Sequence, residues 1–321
     1  MTNGVIVDEV CFDVTIPHDG FFFEDVPPVR AEVHGFRYLP AAAPGCRDSV
    51  LVLLHGVSQG AYAWDLPTNS HRYSVARPLA AAGYPVVAID RLGYGASTHP
   101  PGGTLTIDRQ ADVTRQIVEA LRTGSYRAAA SPAYDHVGIV GHSIGTEIAE
   151  LCVGQSGGVD VLVATGYTHT TSIQLALIIV PEVFRAFRMH YFYFGDTPPN
   201  RAALFYHPGS AVPAVVAAET ASANLTPSGE VTSVVNRPSA LVMRAITIPV
   251  LLVLAENDRL FPASQGAFEA TLFGTANPPP IVTVPNAGHL LFLHPEGPNT
   301  VSQIIDWLRR HPTEIPACPL P

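Results

Sequence analysis

Lysine is missing from the 321-residue chain; all 18 of its basic residues are arginine. That absence excludes a Schiff-base mechanism, a P-loop lysine and a Ser–Lys dyad. Abundant Arg, Ala, Pro and Gly, whose codons are GC-rich, explain it without a functional cause. Charge is also scarce, at 14% of residues against about 25% in an average domain. With 47% hydrophobic residues the chain can build a large core, which excludes a disordered protein. The longest apolar run without a helix breaker, around Ile173 to Val180, is far short of the roughly 20 residues that span a bilayer. No heptad or longer repeat is present. A formal charge of −9 without a basic stripe excludes a general nucleic-acid binder. Cys11, Cys46, Cys152 and Cys318 form no C-x-x-C pair and no metal-ligand spacing. Their even number permits disulfides, but thiols this scattered are expected to be free. MTNGVIVDEV at the start has no basic segment followed by an apolar one, so a cytoplasmic location is expected, or an extracellular one if a leader was trimmed.

What is present is an alternation of apolar strands and helices. VDEVCFDVTIP and VRAEVHGFRYLP carry a partial period of two. SVLVLLHG, YPVVAID (84–90), HVGIVGHS (136–143), VDVLVATG (159–166), IPVLLVLAEND (248–258) and PPIVTVPNAGH (279–289) read as strands buried on both faces. YSVARPLAAAG, IDRQADVTRQIVEALRTG and NTVSQIIDWLRRH, from Asn299, read as helices. This rhythm predicts a parallel sheet covered on both sides. It breaks over about residues 170–245, where Pro and Gly divide short apolar pieces. The reading is one domain, residues 1–321, with that segment inserted as a lid. The aromatic stretch FFFEDVPPV at 21–29 is expected to cover a sheet edge or pack under the first strands.

One segment carries chemistry. VGIVGHSIGTEIAELC (137–152) runs strand, G-H-S-I-G, helix, the nucleophile elbow in its required context. The sharp turn leaves no room for a Cβ at 141 and 145 and lifts Ser143 out at the sheet's carboxyl edge. A serine hydroxyl needs a base to become a nucleophile. His289, after the strand near the carboxy terminus, has the best context; His55 and His142 sit in turn motifs with other roles. Asp258, after IPVLLVLAEN, is the carboxylate to orient the imidazole. The loop after VDVLVATG offers none, and Glu256 is the nearest rival. Two donors are needed for the tetrahedral oxyanion: the backbone N–H of Ile144 and that of Val57, with Ser58 as a fallback.

HG at 55–56, D-R-L-G-Y-G-A-S at 90–97, G-H-S-I-G at 141–145, Asp258 and His289 together resemble the α/β-hydrolase fold superfamily, over about residues 30–312. The resemblance implies an α/β fold with an eight-stranded, mostly parallel sheet flanked by helices. Ser143 would then follow strand five, Asp258 strand seven and His289 strand eight, with a helical cap inserted before strand seven. A serine at 143 separates the chain from epoxide hydrolases and haloalkane dehalogenases, which use aspartate there. The expected activity is hydrolysis of a carboxylic ester or lactone, with neither cofactor nor metal. An acyltransferase, thioesterase or cyclase could use the same triad, and a ligand-binding protein could share the fold. In the inserted segment Phe184, Phe187, Tyr191 and Phe192 are expected to wall a pocket for an apolar or aromatic substrate, or else to glue the cap to the sheet.

Overall fold

Strands made of unbroken apolar runs lie where both faces of a sheet are covered, and the chain uses five of them this way. The computed structural model describes residues 4–16, 29–170, 173–195 and 198–320; residues 21–28 of the FFFEDVPPV stretch lie outside them. The main sheet contains β1 (Val5–Ile16), β2 (Val29–Pro40), β3 (Ser49–Leu54), β4 (Val86–Ile89), β5 (His136–His142), β6 (Val161–Thr165), β7 (Val250–Ala255) and β8 (Ile281–Val284). Their spatial order is β1-β2-β4-β3-β5-β6-β7-β8. β1 pairs antiparallel with β2 from Val5↔Pro40 to Ile16↔Val29, and β2 pairs antiparallel with β4. All other pairings in the sheet are parallel.

The connections between parallel strands are helical: α1 (Ala76–Ala81), α2 (Ile107–Thr123) and α3 (Ile144–Ser156), then α4 (Ile173–Ala186), α5 (Pro198–Phe205), α6 (Pro213–Ala221) and α7 (Ser228–Val234) between β6 and β7, and α8 (Gly266–Ala270) between β7 and β8; α9 (Gly297–Leu308) follows β8. Successive residues of a strand point to opposite faces. Val50, Val52 and Leu54 of β3 therefore join the core under α2 and α3. Leu51 and Leu53 join the opposite core, with Leu79 of α1 and Ile304 and Leu308 of α9. α2 starts where Thr106 Oγ1 accepts the Arg109 N–H, and stops at Gly124, whose φ of 73° suits a residue without Cβ.

Two expectations are corrected. The strand expected over 279–289 is short and half-exposed, with Ile281 at 38%, because β8 is an edge with β7 as its partner. And two of the four cysteines are joined: Cys46 and Cys318 form a disulfide, while Cys11 and Cys152 are free. Spacing could not reveal the pair because it is closed by the tail folding back: Pro316 O accepts the Ser49 hydroxyl (2.6 Å) and the Cys318 N–H donates to Gly83 O (2.8 Å).

Candidate active site

Gly141 and Gly145 make the turn between β5 and α3 possible. A Cβ on Gly141 would come within 2.6 Å of Thr146 Cα, and one on Gly145 within 2.1 Å of Leu54 O. Between them Ser143 has φ 56° and ψ −127°, a conformation that costs a side-chain-bearing residue energy. The Ser143 N–H donating to Thr165 O (2.9 Å) fixes the elbow to β6.

Loops after β7 and β8 bring two groups to this serine. Asp258 Oδ2 lies 2.8 Å from His289 Nδ1, and His289 Nε2 lies 2.8 Å from Ser143 Oγ. Because Nδ1–H donates to the carboxylate, Nε2 carries the lone pair and accepts from the serine hydroxyl. Asp258 Oδ1 takes the Leu260 N–H at 2.8 Å, so both carboxylate oxygens are held. Ser143, Asp258 and His289 are all buried. Glu256 is exposed and accepts the Asn286 N–H (2.9 Å); its carboxylate serves the loop, away from the imidazole.

The His55–Gly60 loop lies directly against the serine: a Cβ on Gly56 would be 3.0 Å from Ser143 Cβ. Among the described residues neither the Val57 nor the Ile144 N–H has a hydrogen-bond partner, and Ile144 opens α3, where N–H groups are left over. The loop is held from several sides. Gln59 Oε1 accepts the Gly56 N–H (3.1 Å). Ser58, at φ 54°, donates its hydroxyl to Val57 O (2.7 Å) and accepts from Arg201. His55 Nδ1–H donates to Gly56 O (2.8 Å), which leaves Nε2 to accept the Arg91 N–H (3.1 Å). Burial, with Arg91 beside it, holds His55 neutral, well below the usual imidazole range. Burial does the same for His142, whose Nδ1–H donates to Thr165 Oγ1 (3.1 Å).

Sequence reasoning missed the groups that anchor the inserted segment. Arg91, from D-R-L-G-Y-G, is buried; its Nε–H donates to His55 O (3.0 Å) and it forms a bidentate pair with Glu230 of α7. Tyr94 OH and Gln110 Nε2 also donate to Glu230, at 2.7 and 2.8 Å. A second buried pair joins Arg201 of α5 to Glu219 of α6. Phe205 of α5 stacks on His289 at 5.6 Å between ring centroids, and Phe261 packs on it at 5.9 Å. Phe261 could have been found from its position three residues after Asp258, in the same loop.

The expected aromatic wall is elsewhere. Phe184 and Phe187 are 64% and 74% exposed. Tyr191 donates its hydroxyl to Pro100 O, and Phe192 is buried under the Arg185 guanidinium, 5.2 Å away. α4 is apolar on nearly every side, so periodicity could not say which side faces inward. The side that does carries Leu175 and Ile179. With Tyr167, Val234, Arg237 and Phe261 they line a cavity of about 190 Å³. Phe261 touches both this cavity and His289.

The sequence profile of the alpha/beta hydrolase family matches residues 51–298. Among curated proteins there is no significant match. The fold is similar to that of a thermophilic esterase from Thermogutta terrifontis, with 17% identity over 93% of this chain and 98% of that one and a TM-score of 0.68. A hydrolase from Pseudomonas aeruginosa is similar at 17% identity, the same coverage and a TM-score of 0.66. A monoacylglycerol lipase from Paleococcus ferrophilus is similar at 21% identity, over 81% of this chain and 94% of that one, with a TM-score of 0.60. By its profile and its fold, the chain belongs to the alpha/beta hydrolase family.

Proposed function

We propose that the protein is a serine hydrolase that cleaves a carboxylic ester or lactone through a Ser143–His289–Asp258 triad. The observation that carries this is the unbroken chain of 2.8 Å contacts from Asp258 to Ser143, ending beside two backbone donors that have no partner among the described residues. Ser143 Oγ attacks the carbonyl while its proton moves to His289 Nε2. The N–H groups of Val57 and Ile144 receive the oxyanion, each typically worth about 2.7–4 kcal/mol of barrier. Collapse breaks the ester bond, and His289 gives its proton to the leaving alcohol. Water, deprotonated by the same imidazole, then hydrolyses the acyl-enzyme. Asp258 holds the imidazole in one tautomer and stabilises its protonated form.

The segment between β6 and β7 acts as the cap, and the cavity it shares with Tyr167 and Phe261 takes the apolar part of the substrate. No helix of the described residues is long and apolar enough to cross a membrane. The Cys46–Cys318 disulfide favours an oxidising compartment over the cytoplasmic location expected from the sequence.

Fluorophosphonate labelling of wild type, Ser143→Ala and His289→Ala, with turnover of nitrophenyl esters of rising chain length, tests the proposal. Labelling and turnover are expected in wild type and in neither variant. Equal labelling of Ser143→Ala would overturn it.

A further inference from the structure

Behind the cavity lies a second group of titratable side chains that the ester chemistry does not use. Glu147 and Glu150 stand one turn apart on α3, both fully buried. His169 comes from the loop after β6, Glu269 from α8, and Ser239 from a turn at Pro238–Leu241. One donor atom from each of Glu150, His169 and Glu269 lies within 4.8 Å of the other two.

The hydrogen bonds give this group a direction. Glu269 accepts twice from His169, at Nδ1 and at the backbone N–H, both at 2.7 Å. The imidazole is thereby oriented with Nε2 facing Ser239 Oγ at 2.7 Å and Glu150 Oε2 at 3.7 Å. A histidine whose far N–H is held by a carboxylate is the usual arrangement behind a metal-bound imidazole. The remaining donors are short of partners: among the described residues Glu150 Oε1 and both oxygens of Glu147 have none. Buried carboxylate oxygens without donors are costly. The nearby Arg237 sends Nη1 to Thr168 O (2.7 Å).

We propose that His169 Nε2 and Glu150, with the Ser239 hydroxyl as a third donor and Glu269 orienting the imidazole, bind a divalent first-row metal ion. One imidazole with oxygen donors suits Zn²⁺, Mn²⁺ or Co²⁺; it does not suit the all-oxygen preference of Ca²⁺ or the thiolate preference of Cu⁺. The ion lies among Nε2, Glu150 Oε2 and the Ser239 hydroxyl, which now bridges the other two at 2.7 and 3.2 Å, and supplies the positive charge the carboxylates lack. Because these residues come from α3, the loop after β6 and the chain leading out of the cap, the ion ties the cap's two ends to the helix that carries the nucleophile.

The test uses the full chain, freed of metal with a chelator and titrated with Zn²⁺ and with Co²⁺. One ion per chain is expected, with a melting temperature raised by at least about 3 °C when free Zn²⁺ is 100-fold above Kd. Glu150→Gln and His169→Asn should bind at least about 100-fold more weakly, and Glu269→Gln about 10- to 100-fold more weakly. Cys11, Glu32 and His34 form another donor group, at the surface. The Co²⁺ complex should therefore show no thiolate charge-transfer band, and His34→Asn should bind as wild type does. The spectrum decides the matter even if the interior variants fail to fold. No uptake by wild type, a thiolate band, or binding lost with His34→Asn would overturn the proposal, the first result leaving protons to neutralise the carboxylates.

Discussion

Single residues set the chemistry, and two of them do so through geometry that can be tested separately. Ser143→Ala leaves the elbow's hydrogen bonds to Thr165 intact, so turnover should fall by about 10⁴- to 10⁶-fold with an unchanged or slightly higher melting temperature. Ester kinetics and calorimetry on the same preparation check both. His294 acts on the loop that carries His289: its Nε2 accepts the Gly288 N–H at 2.7 Å and the His207 N–H at 3.2 Å. Two donors aimed at one ring nitrogen require the neutral ring, and burial lowers the His294 pKa to about 4. The unfolded chain takes up that proton near pH 6.5, so stability is full above pH 6.5 and declines as pH falls from there towards 4. The loss from His294 should be on the order of 3 kcal/mol; His55 and His142, also held neutral, steepen it. Unfolding at a series of pH values should show less acid sensitivity in His294→Gln, along with lower stability at pH 7.

Elements meet through a few buried polar contacts, and one of them joins α7 to the loop after β3. Arg91 links Glu230 to both His55 O and Gly56 O. Glu230→Ala leaves a buried guanidinium unpaired, takes the acceptor from Tyr94 OH and Gln110 Nε2 as well, and should cost about 3–5 kcal/mol, while Glu230→Gln, which keeps an acceptor oxygen, should cost less. Denaturant titration measures both, and loosening of the loop should lower kcat more than it raises KM. Such a contact shows how far the sequence could be read. Ser143 was legible because a strand, two glycines and a helix determine the elbow within a few residues. Asp258 and His289 were legible because they end apolar strands that the topology brings side by side. Glu230 was not: a glutamate in a Pro- and Gly-divided stretch looks solvated, and its partner lies 139 positions away. Phe184 and Phe187 failed for a related reason, since a helix apolar on nearly every side has little pattern to orient it.

At the scale of the whole molecule, the Cys46–Cys318 bridge spans 272 positions and restrains most of the chain when unfolded. Cys318→Ser should lower stability by about 2–5 kcal/mol, and reductant should produce the same loss in wild type with no further loss in the variant. Chemical unfolding with and without reductant separates the two cases. The segment between β6 and β7 is held at several points: Glu230, Arg201 and Asn224 all bind the rest of the chain, the last at Gln59 O (2.9 Å) and Ser58 O (2.9 Å). The cavity beneath it has the half-exposed Val180 and Val235 in its lining. A roof pinned at these points should yield little to its guest: esters of slender, flexible acids should turn over faster than those of rigid, bulky ones, and kcat/KM across such a series measures the difference.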